Sequence, residues 1–600
     1  MKKLIKNRIT LKNPSRGLIL AVGLLLVALK LFLAHAQRML LTPEEAVLDD
    51  NVMYNAAVSI AGGNWLGDYG PLTLSKYSFF SLWVAVLHFL RIPYLMGGQL
   101  LWVAAALAAA WAFAPLFKNR WAQLGLFAVL LFNPASTANP APQGFVARVY
   151  RDNIFPALCL LCIAGMAGFA IRLWEKQSKS TGWLALAGLA FAAAWLCRED
   201  GWWMIFFMAG AALVCGWFIV RRKEAAFRDK LKHLVALLLP FALLAGGILG
   251  WRGANQARYG RFILDDFATG EFADAYGAMT RIDHENWNPK VAVPREVRQK
   301  LYALVPAFAE LEPLLEGEKY LTYYGGLEEG APLESADYDS GSFYWALRLA
   351  AAELGYYDSP QASQAYFEGL ARAINALCDD GTLAAGPRRS GVSPPIRAEY
   401  IAPVTAEALY SLAFCAVFAQ CDARSLWSTH ANDPVFYAET IAPMEAFLHD
   451  TAQTATEAGS EAPYHSLSQR LRFLALDIIR YVYAALTPLA LLAALAWQLL
   501  EGARLAKLLR RREPTGKAGL LWVLCLGLWL CILLRAFMIA FVTVASFHIG
   551  TFVMYLATIH PMMLLVGYIG AARLIGLMAA RRRAKKAAPG ALDCGVMGDA

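Results

Sequence analysis

Residues 17–34, GLILAVGLLLVALKLFLA, begin a series of apolar runs that recurs along the chain. Crossing a bilayer core takes about 20 apolar residues of helix. With no water at that depth to satisfy the backbone, such runs can only be helices packed in a bundle. Further runs lie near 95–117, 121–136, 154–172, 182–197, 201–220, 234–251, 473–499, 518–544 and 551–578. Ten crossings result. Composition agrees, since 58% of the 600 residues are hydrophobic and only 17% charged, which excludes an ordinary soluble enzyme. No small-residue cleavage site follows the first run, so it reads as a retained span and not as a signal peptide.

Orientation follows from the cations. Residues 1–16 carry Lys2, Lys3, Lys6, Arg8, Lys12 and Arg16 without an acid, which places the N-terminus in the cytoplasm. The clusters Lys118/Arg120, Arg172–Lys179, Arg221–Lys232, Arg504–Lys517 and Arg573–Lys586 then all fall on the cytoplasmic face, and both termini are cytoplasmic. This count requires that YSFFSLWVAVLHFLRIPY (77–94) does not cross. Its apolar core, Phe79–Leu90, is 12 residues long, too short to span, and reads as an amphipathic helix lying on the outer surface.

The expected organisation is a transmembrane module over 1–251 with a first outer loop at 37–94, an extracytoplasmic domain over 252–470, C-terminal membrane helices over 471–580 and a basic cytoplasmic tail over 581–600. The outer segment holds 16 Lys/Arg against 30 Asp/Glu, a balance of −14 in a chain of net charge +9, which leaves +23 for the remainder. The basic excess therefore reports membrane orientation and gives no support to nucleic-acid binding. Helical spacing is expected at 342–354, 361–378, 405–419 and 433–449. Cys159 and Cys162 form a C-x-x-C inside an apolar span with no second pair, which reads as packing. Cys378, Cys415 and Cys421 lie in the outer segment, so at most one bridge forms among them.

Three polar outposts should gather on the outer face: Asp49/Asp50 after the first span, ARVYRDN (147–153) and CREDGWW (197–203). Charges at the lip of the hydrocarbon are costly to desolvate and tend to pair or to serve a site. Arg535, inside the ninth span, is a functional suspect for the same reason, with ion pairing within the bundle as the alternative.

The segment DNVMY (50–54), followed by GGNWLGDY and then by Lys76 before a short amphipathic helix, resembles the GT-C glycosyltransferase superfamily, whose members include protein O-mannosyltransferases and the bacterial aminoarabinose transferase of lipid A. The resemblance covers about residues 1–260. Where the family carries Asp-Glu this chain has Asp49-Asp50, or Asp50-Asn51 by the spacing to Tyr54, and Lys76-Tyr77 stands for Lys-Pro. It implies a polytopic helical membrane protein with a helical extracytoplasmic domain. Its activity would be an inverting transfer of sugar from a polyprenyl-phosphate donor to a lipid, glycan or protein acceptor at the outer face of the cell membrane. It also implies catalytic roles for Asp50, Asp49 and Asp152, with Asp50 favoured as base by its spacing to Tyr54, which would contact substrate. Arg198, Arg151 and Lys76 would hold the donor phosphate.

The chemistry is consistent with those residue types: a carboxylate takes the acceptor proton, and cations stabilise the phosphate as its charge grows. Each cation also has a plainer reading, Arg151 pairing with Asp152, Arg198 with Glu199, and Lys76 reaching a lipid headgroup. Asp49 and Asp50 are also candidates for holding a divalent cation, with no further oxygen ligands evident. The alternative is a non-enzymatic transporter or envelope assembly protein whose outer domain binds a partner. Transporters of that kind often show two related halves, and no duplication stands out. No phosphate-cradling Gly-rich loop or helical H-E-x-x-H motif indicates an ATPase or a protease.

Overall fold

The computed structural model describes residues 13–587 except 176–179, 223–224, 268, 286–287, 289, 392–395, 431, 455–465 and 547–550. Among the expected cytoplasmic cations, Lys2, Lys3, Lys6, Arg8, Lys12, Lys176 and Lys179 lie outside the described residues, as does the tail from 588.

Among the described residues the chain is helical, with only isolated β-bridges. Eight helices are long and apolar enough to cross a membrane: Arg16–Ala34, Tyr94–Leu116, Arg151–Trp174, Glu199–Arg221, Phe227–Tyr259, Leu467–Arg510, Gly516–Ala545 and Ile559–Ala580. The protein is a multi-pass membrane protein. The expected spans at 121–136 and 182–197 are shorter helices, Arg120–Leu131 and Thr181–Cys197. The first of these continues through a buried 3-10 turn at Pro134–Thr137, and with both the count returns to ten.

In chain order the first ten helices are α1 (Arg16–Ala34), α2 (Asp50–Ala61), α3 (Phe79–Leu90), α4 (Tyr94–Phe113), α5 (Arg120–Leu131), α6 (Phe155–Trp174), α7 (Thr181–Cys197), α8 (Trp203–Arg221), α9 (Phe227–Ala236) and α10 (Leu239–Tyr259). Helix α6 is buried along almost its whole length. Small residues allow it to pack closely on α7: a Cβ on Gly165 would stand 2.6 Å from the Ala187 backbone nitrogen, and one on Gly168 2.5 Å from the Trp183 ring. Without a hydrophobic drive between helices in lipid, such close backbone approach is what holds membrane helices together. Cys159 and Cys162 of α6 touch the sulfurs of Met204 and Met208 at 3.5 and 3.2 Å, which is packing. Among the described residues all cysteines are free and buried.

The two ends of the bundle differ in chemistry. At one end Lys517 Nζ bonds the carbonyl of Pro115 and Glu175, Arg573 bonds the carbonyl of Leu116, and Arg120 bonds that of Pro14. The basic loops thus meet at one face. At the other end lie Asp49, Asp50, the ARVYRDN and CREDGWW segments and the acidic helical segment. Helix α3 stays at this second end. Before it, the Tyr77 amide donates to Glu199; after it, Tyr94 Oη donates to the Arg148 carbonyl. Both ends of Phe79–Leu90 therefore lie on one side, and the left-handed Arg91 (φ 52°) turns the chain into α4.

The four helices expected in the polar segment are present as Ser340–Glu353, Pro360–Asp379, Ile401–Ala416 and Ala442–Leu448. The first two share a separate core around Tyr276, Phe343, Tyr344, Leu347, Phe367 and Ile374. Phe414, Cys415, Met444 and Leu448 of the last two instead join the core of the membrane bundle. Ile401–Ala416 leaves Ile401, Leu409 and Tyr410 exposed and packs against Gly516–Ala545.

The charge asymmetry sets an expectation for orientation. The described cysteines are buried, so in a Cys594→Ser background Glu329→Cys and Glu513→Cys serve as accessibility probes. Membrane-impermeant maleimide added to intact cells is expected to label position 329 and to reach 513 only after permeabilisation. The reverse pattern would overturn the topology.

Candidate active site

Asp49 holds the N-cap position of α2 without a side-chain capping bond, and Asp50 opens its first turn, where the positive end of the helix dipole favours carboxylates. The two then part company. Asp50 lies beneath Arg148, which grips it with two hydrogen bonds, Nε–Oδ2 at 3.1 Å and Nη2–Oδ1 at 2.6 Å, and its side chain is 6% exposed. Asp49 is 45% exposed, paired with the Lys76 ammonium and accepting from Tyr150 Oη at 3.2 Å. Burial pushes the Asp50 carboxyl up, and the Asp49 charge beside it adds to this, against the pull of Arg148. Burial also acts to raise Asp49, but Lys76, then Arg148 and Arg151, outweigh it and hold that carboxyl below the usual range. Burial keeps the Tyr150 phenol neutral, so it remains a donor to Asp49.

Tyr150 joins the outposts. Lys76, Arg148 and Arg151 stand over its ring at 5.2, 5.2 and 5.3 Å from the centroid, which suits cation–π attraction. Arg151 pairs with Glu199 at 2.6 Å. Arg198 pairs with the fully buried Asp152 and grips Asp200 through two bonds of 2.8 and 3.0 Å. From the Gly516–Ala545 helix, Arg535 reaches Asp200 at 2.7 Å and donates to the Tyr555 carbonyl. Five carboxylates thus meet five cations in a polar network of three ion-paired groups, Lys76–Asp49–Arg148–Asp50, Arg151–Glu199 and Asp152–Arg198–Asp200–Arg535, the first two meeting over the Tyr150 ring. Within it, Arg151 Nε and Asp152 Oδ2 are buried with no hydrogen-bond partner.

Most expected site residues come together: Asp49, Asp50, Lys76, Arg151, Asp152 and Arg198 all belong to this network. Two expected pairings change. Arg198 serves Asp152 and Asp200, and it is Arg151 that takes Glu199. The Tyr54 ring packs edge-on against Phe447 at 5.6 Å, an aromatic packing role. Arg148 and Tyr150 were missed as site residues although they lie in the ARVYRDN segment, three and one residues before Arg151. The polar domain also reaches the site, with Trp345 placing its ring 5.6 Å from Lys76 Nζ. No local pattern announces that contact.

The carboxylate pair does not fit a divalent cation. Lys76 and Arg148 already occupy the positions from which a hard cation would need oxygen ligands, and no group of three His, Cys, Asp or Glu suited to a metal forms among the described residues.

The fold and site define a polytopic helical membrane protein with a charge-neutral polar cluster at one end of its bundle. No family model matches the chain, and no curated protein does. Among solved structures it is similar to ArnT from Cupriavidus metallidurans. The apo form has a TM-score of 0.27 at 15% identity, over 88% of this chain and 77% of that one. The form bound to undecaprenyl phosphate has a TM-score of 0.26 at 14% identity, over 95% and 78%. Overlap this loose fixes no correspondence between individual residues.

Proposed function

We propose that the protein is a membrane glycosyltransferase of GT-C type that moves a sugar from a polyprenyl-phosphate carrier to an acceptor at the outer face of the membrane. The observation that carries this is the exposed Asp49 carboxylate, held between the Lys76 ammonium and the Tyr150 hydroxyl beside a cluster of arginines.

Asp49 takes the proton of the acceptor hydroxyl. The acceptor oxygen bonds to the anomeric carbon, the bond from that carbon to the phosphate oxygen breaks, and polyprenyl phosphate leaves with the electron pair. Lys76, Arg151 and Arg198 stabilise the growing phosphate charge; the unpartnered Arg151 Nε supplies a donor already in place. Because the cluster is neutral without substrate, the phosphate must draw a cation from a carboxylate. Lys76 is the cation shared with the exposed acid. As it turns to the phosphate, Asp49 loses the partner that depresses its basicity, so donor binding readies the base.

The electrostatics give a test. Asp49 works as a carboxylate, so activity is present above its pKa and is lost as pH falls through it. Lys76 holds that pKa below 3.8. Lys76→Gln removes the lowering charge and is expected to move the acid limb of kcat/KM upward, toward the ordinary Asp value of about 3.9, along with a lower plateau. An acid limb that stays in place in Lys76→Gln, measured as sugar transfer from a polyprenyl-phosphate donor in membranes, would contradict the pairing.

A further inference from the structure

A cavity of about 580 Å³ lies away from the charged cluster, where α1 ends, α4 begins and the Ala442–Leu448 helix covers both. His35 and Arg38 line it from the first side, Leu95 and Gln99 from the second, and Glu445 and Asp450 from the third. It stands at the depth of lipid headgroups, because α1 has just left the apolar stretch and α4 is about to enter it. Phe32, 58% exposed, and Leu100, 43% exposed, offer apolar surface on the two spans beneath it.

The polar groups of this cavity are unequally satisfied. The acids are used: Asp450 accepts from the Leu95 and Thr451 amides at 2.9 Å each, and Glu445 accepts from the Ala452 amide and Tyr437 Oη. Gln99 is 3% exposed, and its Oε1 has no hydrogen-bond partner. Its Nε2 donates to the Ser136 carbonyl, and the Ser136 hydroxyl accepts from Lys30 Nζ at 2.8 Å. Lys30 is 1% exposed within α1 and is paired there with a hydroxyl. Arg38 and His35 bring further donors to the mouth, where they face Asp450.

We propose that this cavity binds the headgroup of a phosphate-bearing lipid from the leaflet at the site end. Its phosphate would meet Arg38 and His35 at the mouth. A headgroup hydroxyl or ammonium would donate to Gln99 Oε1, and the acyl chains would run down past Phe32 and Leu100. Chain geometry places the ligand one backbone layer from the charged cluster. Met39, next to Arg38, donates to the Thr451 carbonyl, and Leu40 donates to that of Ala147, the neighbour of the arginine that holds Asp50.

The test uses the full-length protein in phosphatidylcholine nanodiscs containing a photoreactive lipid, with labelled peptides identified by mass spectrometry. One arm carries photoreactive phosphatidylglycerol and the other a photoreactive phosphate-bearing glycolipid. Label is expected on residues 93–99 or 442–451, with a reduction of about tenfold or more in Arg38→Glu and in Gln99→Leu, the range for a lost hydrogen bond to a charged group. Label from both lipids identifies a site for bulk phospholipid, and label from the glycolipid alone identifies an acceptor site. Asp49→Asn should label as wild type, which separates this site from the transferase reading. Arg38 is partly exposed, so its variant should fold, as checked by thermal melting. The proposal fails if neither lipid labels these segments, or if the label survives both substitutions.

Discussion

Asp49→Asn is expected to lower sugar transfer by about 10²–10⁴-fold, the usual worth of general-base help, while the protein still inserts and melts close to wild type. The amide keeps the size of the carboxylate but cannot take a proton. Its structural cost is small because the side chain is 45% exposed, and half-exposed ion pairs contribute about 0–1 kcal/mol. Asp50→Asn should behave differently. Asp50 is buried and is the bidentate partner of Arg148, so its loss leaves the guanidinium with only the longer contact to Asp49 at 3.8 Å and costs up to about 3–5 kcal/mol. The expected pair of outcomes is a stable, inactive Asp49 variant and an unstable Asp50 variant. A stable, inactive Asp50→Asn beside an active Asp49→Asn would return the base to Asp50, the residue that the spacing to Tyr54 favours.

Arg198→Met is expected to be the most damaging single change in the cluster. The guanidinium is 6% exposed and joins Asp152 to Asp200. Removing it leaves Asp152, 1% exposed, as an uncompensated buried charge beside an Oδ2 that is already unpartnered, again about 3–5 kcal/mol. Low accumulation in the membrane and a depressed melting temperature are the expected readouts. The double variant Arg198→Met/Asp152→Asn removes both charges and should recover much of the stability, since loss of a whole buried pair is far less harmful than loss of one partner. Transfer should stay low in the double variant, because a cation near the phosphate is still missing. Full transfer by the double variant would show that Arg198 serves only as a structural counter-ion.

The parts of this molecule legible in the sequence are those set by local pattern. Apolar runs marked the spans, the 12-residue limit on Phe79–Leu90 kept that helix from crossing, and the basic loops grouped as their signs required. The acid-and-base segments before α6 and after α7 announced a polar cluster because charge beside hydrocarbon needs a partner. Which partner was not legible. Arg198 and Glu199 are adjacent in sequence, yet the backbone between them sends one side chain to Asp152 and the other to Arg151. Asp49 and Asp50 look interchangeable until α2 starts between them, turning one toward Arg148 and leaving the other open. Trp345 and the cavity between α1, α4 and the Ala442–Leu448 helix depend on contacts across hundreds of residues, which no periodicity encodes. The segment 401–448 read as polar-domain helix because its spacing is helical. Its apolar face instead completes the core of the membrane bundle.

Transfer of sugar from a lipid phosphate by this cluster can be measured directly. The most direct measurement supplies purified full-length protein, in vesicles, with a radiolabelled polyprenyl-phosphate sugar and a membrane extract as acceptor source, and follows both products. One polyprenyl phosphate is expected to be released for each sugar transferred, with the rate falling about 10²–10⁴-fold in Asp49→Asn. Donor left intact by the wild-type protein, or consumed equally fast by Asp49→Asn, would contradict it.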